Sequence, residues 1–337
     1  MSTSTSSIPA ITPDTINTVR NRLLTWWQAN RRDLPWRDTR DPYRILVSEV
    51  MLQQTQVDRV IPYYEHWLEV FPNVEALAGA PTAEVIRMWA GLGYNRRAVN
   101  LQRTAKAVVE LGGEFPRTVA ELQKLPGIGP YTSGAIACFA FEQDVPFIDT
   151  NMRRVLHRVL VGVDLPAPIL NDKEITILAA TMLPPGSAWD WNQGLIEFGA
   201  LQCTARKPLC IICPLQEMCA ARPEIQTVIA QQPKGARAAR ELPFKESNRY
   251  FRGRVIDLLR DRDLAHVGLT LEEIGPQVRA EFSDADLPWL FEVVRGLEKD
   301  GLAMVAEEEP VYDSVIATNV AKDELPPELG SLRIKLP

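Results

Sequence analysis

Histidine is nearly missing from this sequence, with three among 337 residues. That leaves too few imidazoles for a histidine-rich metal centre. No apolar run approaches the roughly 20 residues that span a bilayer, so a membrane protein is not expected. Met1 to Thr12 is Ser/Thr-rich and uncharged. It has neither the basic start nor the apolar centre of a secretion signal, so a cytoplasmic protein is expected, with residues 1–14 a loose tail. Positive charge is also short: the formal net charge is −6, which over the whole chain speaks against a nucleic-acid partner. The deficit is uneven. Thr15 to Arg222 carries 22 basic against 21 acidic residues, and Pro223 to Pro337 carries 15 against 21. Phosphate binding depends on local groups such as Arg96–Arg97 and Arg153–Arg154, not on the total.

Strand alternation and internal repeats are equally absent from the larger part. Residues 15–222 read as almost wholly helical. Apolar residues recur at helical spacing in Ile16–Gln28, Tyr43–Leu52, Val57–Phe71, Ala83–Ala90, Arg97–Leu111, Val119–Lys124, Thr132–Phe141 and Met152–Val161. Pro13–Asp14, Pro81–Thr82 and Pro116–Arg117–Thr118 are start signals. Residues 223–245, rich in Gln, Ala, Arg and Pro, read as a linker. Residues 246–305 then predict three amphipathic helices, Phe251–Arg260, Leu271–Val278 and Leu287–Asp300, and a short strand over Gly301–Val305. That order resembles a winged-helix module, and a generic small helical domain fits it equally. Residues 306–337, acidic and Pro-containing, read as an extended tail.

Cysteine is scarce but concentrated. Four of five lie at Cys203, Cys210, Cys213 and Cys219, spaced C-x6-C-x2-C-x5-C. Without an export signal, that grouping points to a metal site and away from disulfides. Structural zinc sites use two close pairs, and only Cys210 and Cys213 form one; zinc stays the alternative to an iron–sulfur centre. The spacing resembles that of iron–sulfur DNA glycosylases related to endonuclease III, which implies a 4Fe–4S cluster. Cys138 sits in an apolar helix and reads as buried. Arg206, Lys207 and Arg222 would form either a basic DNA-facing loop or an ordinary solvated one.

Leu125-Pro126-Gly127-Ile128-Gly129-Pro130-Tyr131-Thr132 joins two helical segments. Two glycines allow a tight turn and close backbone approach, and the next helix offers unpaired N–H groups at its start. The string resembles the helix-hairpin-helix of base-excision glycosylases. About 20 residues on, Asp149 precedes a helix, where an aspartate is ordinarily an N-cap. Glu49, in Ser48-Glu49-Val50-Met51-Leu52-Gln53-Gln54-Thr55-Gln56-Val57, sits among apolar neighbours where an unpaired carboxylate is costly.

That last string, with Leu34-Pro35-Trp36-Arg37, Gly91-Leu92-Gly93-Tyr94 and Leu195-Ile196-Glu197-Phe198-Gly199-Ala200, resembles the catalytic domain of the A/G-mismatch adenine glycosylases. The resemblance implies an all-α, two-lobed helix-hairpin-helix domain over residues 15–222, with the iron–sulfur loop at 203–219. It implies a monomer acting on mismatched double-stranded DNA, associated with the nucleoid. It also implies residue roles. Glu49 protonates the adenine, Asp149 supports the cationic sugar, and Tyr131 lines the site. Trp36, Arg37 and Glu197 adjoin the flipped base. Gln54 and Tyr94 wedge into the duplex, and Gly127, Gly129 and Thr132 hold a backbone phosphate. Bifunctional relatives carry a lysine where this chain has Tyr131, which implies hydrolysis without strand cleavage.

Two departures stand beside the resemblance. The family's C-terminal β-domain with its Phe-Ser-His loop has no counterpart here, and Thr150 follows Asp149 where glycine is usual. The competing readings are a mismatch thymine or uracil glycosylase on the same scaffold and a non-catalytic DNA-damage-binding protein.

Overall fold

The computed structural model describes residues 8–232, 243–261, 267–306 and 329–337. Fifteen α-helices occur in these segments: α1 Pro13–Asn30, α2 Pro42–Leu52, α3 Val57–Val70, α4 Val74–Gly79, α5 Thr82–Met88, α6 Arg96–Glu110, α7 Val119–Leu122 and α8 Pro130–Phe139. They continue with α9 Thr150–Leu160, α10 Asp172–Met182, α11 Ala188–Leu201, α12 Ile225–Gln231, α13 Asn248–Leu259, α14 Leu271–Val278 and α15 Leu287–Lys299. Eight expected helices of residues 15–222 are present. The periodic pattern passed over α4, α10 and α11, because α4 is short and the other two are apolar on more than one face.

The chain divides into two compact units, one from residues 1–53 and 114–236, the other from residues 54–113 and 237–337. In the first, α11 packs against both α1 and α9, and α2 against α8. Leu23, Trp27, Leu46, Trp191 and Phe198 are fully buried there. Caps set the helix starts. Thr12 and Asp41 accept from the first turns of α1 and α2, each with proline at its opening. Asn171 and Glu174 form a capping box on α10. The expected linker contains α12, whose Ile225 is buried in this unit.

The second unit joins α3–α6 to the C-terminal helices. One core contains Ile86 and Val99 from α5 and α6 together with Val255, Ile256, Leu271, Ile274, Leu290, Val294, Leu297 and Ile334. The C-terminal helices therefore do not bury their apolar faces among themselves alone. Three short strands complete this part: β1 Leu269–Thr270, β2 Met304–Val305 and β3 Arg333–Lys335. Their order is β1-β3-β2, antiparallel throughout, with Ile334 opposite both Leu269 and Val305.

The last strand corrects the expected tail. Residues 307–328 lie outside the described residues, but β3 is the central strand and Ile334 and Leu336 are buried. The alternation Leu332-Arg333-Ile334-Lys335-Leu336 carries the signal for it. The acidic stretch before it hid a strand three residues long.

Candidate active site

All three residues expected to perform or frame the chemistry fall in the first unit. Glu49 sits on α2, Tyr131 on the first turn of α8, and Asp149 caps α9. The packing of α2 on α8 brings Glu49 to Tyr131, whose hydroxyl donates to its carboxylate. Glu49 is buried, 7% exposed. Burial raises its pKa to about 7, and the negative charge of Asp149 adds to this; the Tyr131 hydroxyl and the Arg37 charge oppose it. Burial also pushes the Tyr131 phenol well above its ordinary value, with the Glu49 and Asp149 charges adding. Tyr131 is thus a neutral donor at neutral pH.

Asp149 is the N-cap it would be in most proteins, and more. Its Oδ1 accepts from the Met152 N–H at 2.6 Å and its Oδ2 from the Asn151 amide at 3.1 Å. Burial raises its pKa, while these hydrogen bonds and the Arg154 charge resist. Phe147 packs edge-on to Tyr131 (ring centroids 5.5 Å) and to Phe139 (5.5 Å), fixing the chain just before Asp149. Gly134 permits this, because a Cβ there would lie 2.5 Å from the Phe147 Cβ.

A chain of hydrogen bonds runs from Asp149 to the cysteine loop. Asn151 donates to Asp149 and accepts from Arg154 at 2.7 Å. Arg154 also donates to the carbonyls of Gly199 (2.6 Å) and Cys203 (2.7 Å). A Cβ on Gly199 would lie 2.6 Å from the Asn151 Cβ and 3.0 Å from its carbonyl. We expect Gly199→Ala to cost about 1–3 kcal/mol by forcing α9 away from α11. It should also lower the single-turnover rate, since Asn151 moves with α9. A melting curve and a rate measured on the same preparation check both. Asn151 reads in the sequence as an ordinary polar position of an amphipathic helix, and Arg154 as half of a basic pair for phosphate.

The basic pairs proposed for phosphate do other work. Arg154 serves the chain just described, and Arg153 pairs with Asp172. Arg97 is 9% exposed, donates to the carbonyls of Leu92 and Gly93 (both 3.1 Å), and lies 5.2 Å from the Trp89 ring centroid. Arg96 pairs with Asp300 at 3.3 Å. Arg97 and Arg154 are thus committed to internal carbonyls, and Arg96 and Arg153 to ion pairs.

Arg37, Trp36 and Glu197 come together near Glu49. Glu197 is fully buried and saturated: Oε1 accepts from the backbone and Nε of Arg32 (3.0 and 2.8 Å), and Oε2 from Arg32 and Arg37 (both 2.9 Å). Arg37 also donates to the Gln193 side chain (3.0 Å) and the Arg32 carbonyl (2.7 Å), and its guanidinium lies 4.7 Å from the Trp27 ring centroid. Trp36 is 6% exposed. The polar atoms of this group point at one another. Arg32 and Gln193 complete it, and only the adjacency of Arg31–Arg32 to the motif hinted at the first.

Gly127 is exposed with φ +80, the left-handed value that suits glycine, and Gly129 is the N-cap of α8 with open space beside it. The hairpin presents backbone here, as an anion site requires. Thr132 is buried, so its side chain faces the core. In the second unit, Gln54 (φ +56) and Tyr94 (φ +48) are two of three non-glycine residues with left-handed backbone among the described residues. Such strain collects at functional positions.

Cys203, Cys210, Cys213 and Cys219 line one cavity with Arg158, Val159, Phe198, Gln202 and Ile225. Burial raises the thiols of Cys203, Cys213 and Cys219, Cys213 to about 11. Four cysteine side chains lining one cavity can converge on a single metal centre, which would hold them as thiolates. Two N–H groups face them: the Gln226 amide is 3.4 Å from the Cys210 Sγ, and the Arg158 guanidinium 3.9 Å from the Cys203 Sγ. Donors of this kind stabilise thiolate and sulfide charge. The residues fit an iron–sulfur cluster.

Comparison with known proteins agrees with this geometry. Residues 47–175 match the HhH-GPD superfamily of base-excision DNA repair proteins, and residues 203–219 match the iron–sulfur binding domain of endonuclease III. The chain is 43% identical over 242 residues to an adenine DNA glycosylase of Mycolicibacterium smegmatis, covering 71% of this chain and 79% of that one. This chain belongs to the adenine DNA glycosylase family. The loop at Cys203–Cys219 is its iron–sulfur site, in keeping with a 4Fe–4S cluster.

A mouse adenine DNA glycosylase is 44% identical over 222 residues, 63% of this chain. This family member spans only 43% of that relative's length. Among solved structures, a thermostable thymine-DNA glycosylase matches with TM-score 0.58 and 34% identity, over 62% of this chain and 97% of that one. No helix among the described residues is long and apolar enough to cross a membrane.

Proposed function

We propose that this chain hydrolyses the N-glycosidic bond of adenine mispaired in double-stranded DNA, without strand cleavage. One arrangement carries the proposal: a buried glutamate, hydrogen-bonded by Tyr131 and pushed up to about 7 by its burial, with an aspartate held by two N–H donors. Breaking the bond sends its electron pair into the purine ring, and a proton must meet it there. Glu49, half protonated near neutral pH, supplies that proton. The sugar becomes cationic at C1′. Asp149 holds a negative charge for it, and a water then adds hydroxide at C1′ and sheds a proton. Tyr131 stands where a Schiff-base lysine would stand and stays neutral, so the sugar meets water rather than an amine.

The remaining roles follow the same reading. Arg37, Glu197 and Trp36 form a wall of the base pocket, acting through packing because their polar atoms are engaged. Gly127 and Gly129 receive a backbone phosphate at the start of α8, a contact that positions without reading sequence. Gln54 and Tyr94 enter the duplex. The cluster, when bound, stiffens residues 203–219 and presents the exposed Arg206 and Lys207 to phosphate. The arrangement of α13–α15 with the β1-β3-β2 sheet supports a winged-helix-like C-terminal module, and the protein acts as a monomer at the nucleoid.

The likeness to a thymine-DNA glycosylase favours a second reading, removal of thymine or uracil. Single-turnover assays on duplexes with A opposite G, A opposite 8-oxoguanine, T opposite G and U opposite G decide between them. We expect release of adenine at least about tenfold faster than of either pyrimidine. Faster release of a pyrimidine would overturn the proposal.

A further inference from the structure

Beside Tyr94, the second unit holds two side chains that no role above uses, Arg249 and Phe244. Tyr94 is 41% exposed on the loop Gly91–Asn95, with Gly91 at φ +88 and Gly93 at φ +70. The loop is fastened from below. Trp89 donates to the Gly93 carbonyl at 3.0 Å, and Arg97 donates to the carbonyls of Leu92 and Gly93 with its guanidinium 5.6 Å from the Tyr94 ring centroid. Another guanidinium, that of Arg249 on the first turn of α13, lies 4.2 Å from the same centroid. Arg249 also lies 5.6 Å from the Phe244 ring centroid. Phe244 is 60% exposed and braced edge-on by Tyr250 at 5.6 Å.

Arg249 differs from its neighbours in charge. Arg252 pairs with Asp300, Arg260 with Asp257, Arg279 with Asp286 and Arg96 with Asp300. Arg249 has no ion-pair partner among the described residues. An unneutralised guanidinium set over two partly exposed aromatic rings suits one ligand chemistry well. An unstacked base offers a π-face to the rings, and its phosphate offers a charge to the cation. A protein partner with an acidic side chain would use the charge but leave the two ring faces unused.

We propose that Arg249 and Phe244 extend Tyr94 into a nucleotide-binding platform, so that the C-terminal segment supplies direct DNA contacts. Arg249 does two things there: it holds the Tyr94 ring in place, and it neutralises one phosphate. The proposal rests on the reading of Tyr94 as a DNA contact in an adenine glycosylase.

The test measures affinity for a mismatched duplex carrying a non-hydrolysable adenine analogue, by fluorescence anisotropy of the full chain at several salt concentrations. Arg249→Ala should weaken binding about tenfold and lower the salt slope by about one counterion. Arg249→Lys should restore the slope but not the full affinity, because ammonium loses the flat stacking of guanidinium. Phe244→Ala should weaken binding with an unchanged slope. Melting curves accompany each variant. If Arg249→Ala binds as wild type, or lowers the melting temperature while leaving the salt slope intact, the platform is packing only and the proposal falls. If wild type releases no adenine yet Arg249→Ala shows both losses, the adenine reading fails and the platform stands.

Discussion

Glu49→Gln should lose at least about two orders of magnitude in single-turnover adenine release and should at the same time melt higher than wild type above pH 7. Both effects come from one burial. The loss follows because glutamine cannot deliver a proton, and general acid catalysis contributes roughly 10²–10⁴-fold. The wild-type rate should fall as pH rises through about 7, where Glu49 loses its proton, and the variant should lack that limb. The stability gain has the opposite pH logic to a salt-bridged carboxylate. Folding raises the Glu49 pKa from 4.5 to about 7, so the folded state holds the proton more tightly than the unfolded chain. Stability is therefore greatest below 4.5, falls as pH rises through about 7, and is lower by up to about 3 kcal/mol once the buried carboxylate is fully charged. Glutamine carries no such penalty. Rate and melting temperature measured from pH 5 to 9 check the pair. A variant that keeps the wild-type rate at all pH values would remove Glu49 as the acid.

Glu197→Ala should do the reverse and destabilise the first unit by about 3–5 kcal/mol. Burial alone would raise this carboxyl, but the hydrogen bonds and charges of Arg32 and Arg37 prevail and hold it at about 2. Truncation strands Arg37, whose side chain is 7% exposed, without its anion. The backbone N–H of Arg32 loses its acceptor as well. The depressed pKa sets the window: the pair's contribution is complete above about 4.5 and is lost as pH falls toward 2. Acid denaturation followed by circular dichroism should thus show the wild-type advantage over Glu197→Ala shrinking across that range. Glu197→Gln, which keeps an acceptor, should cost less. A variant as stable as wild type at pH 7 would mean the two arginines find other partners. The two buried glutamates are chemically identical, and their neighbours alone give them opposite signs: one meets a neutral hydroxyl and a second carboxylate, the other two guanidinium forks.

The sequence by itself determined the local events. Helix starts at Pro13–Asp14, Pro81–Thr82 and Thr118 follow from fixed proline φ or a capping side chain, all within a few residues. The cysteine spacing and the Gly-Ile-Gly turn are likewise local, so the metal loop and the hairpin were legible. Glu49 stood out because a carboxylate within an apolar run needs a partner.

Tertiary structure decided what depends on contacts between distant segments. Arg154 and Arg153 look alike in sequence, yet one ties Asp149 to the Cys203 loop and the other pairs with Asp172. Only the close approach of α11 to α9 at Gly199 separates them. The pairing of Arg37 with Glu197 spans 160 residues. The C-terminal segment shows the same limit from the other side. Its final strand is short, and two partners already spaced along the chain had to be in place before its alternation meant burial. A strand of that length stabilises nothing alone. Its apolar face counts only once α14, α15 and the neighbouring strands surround it, and local periodicity carries no information about that enclosure.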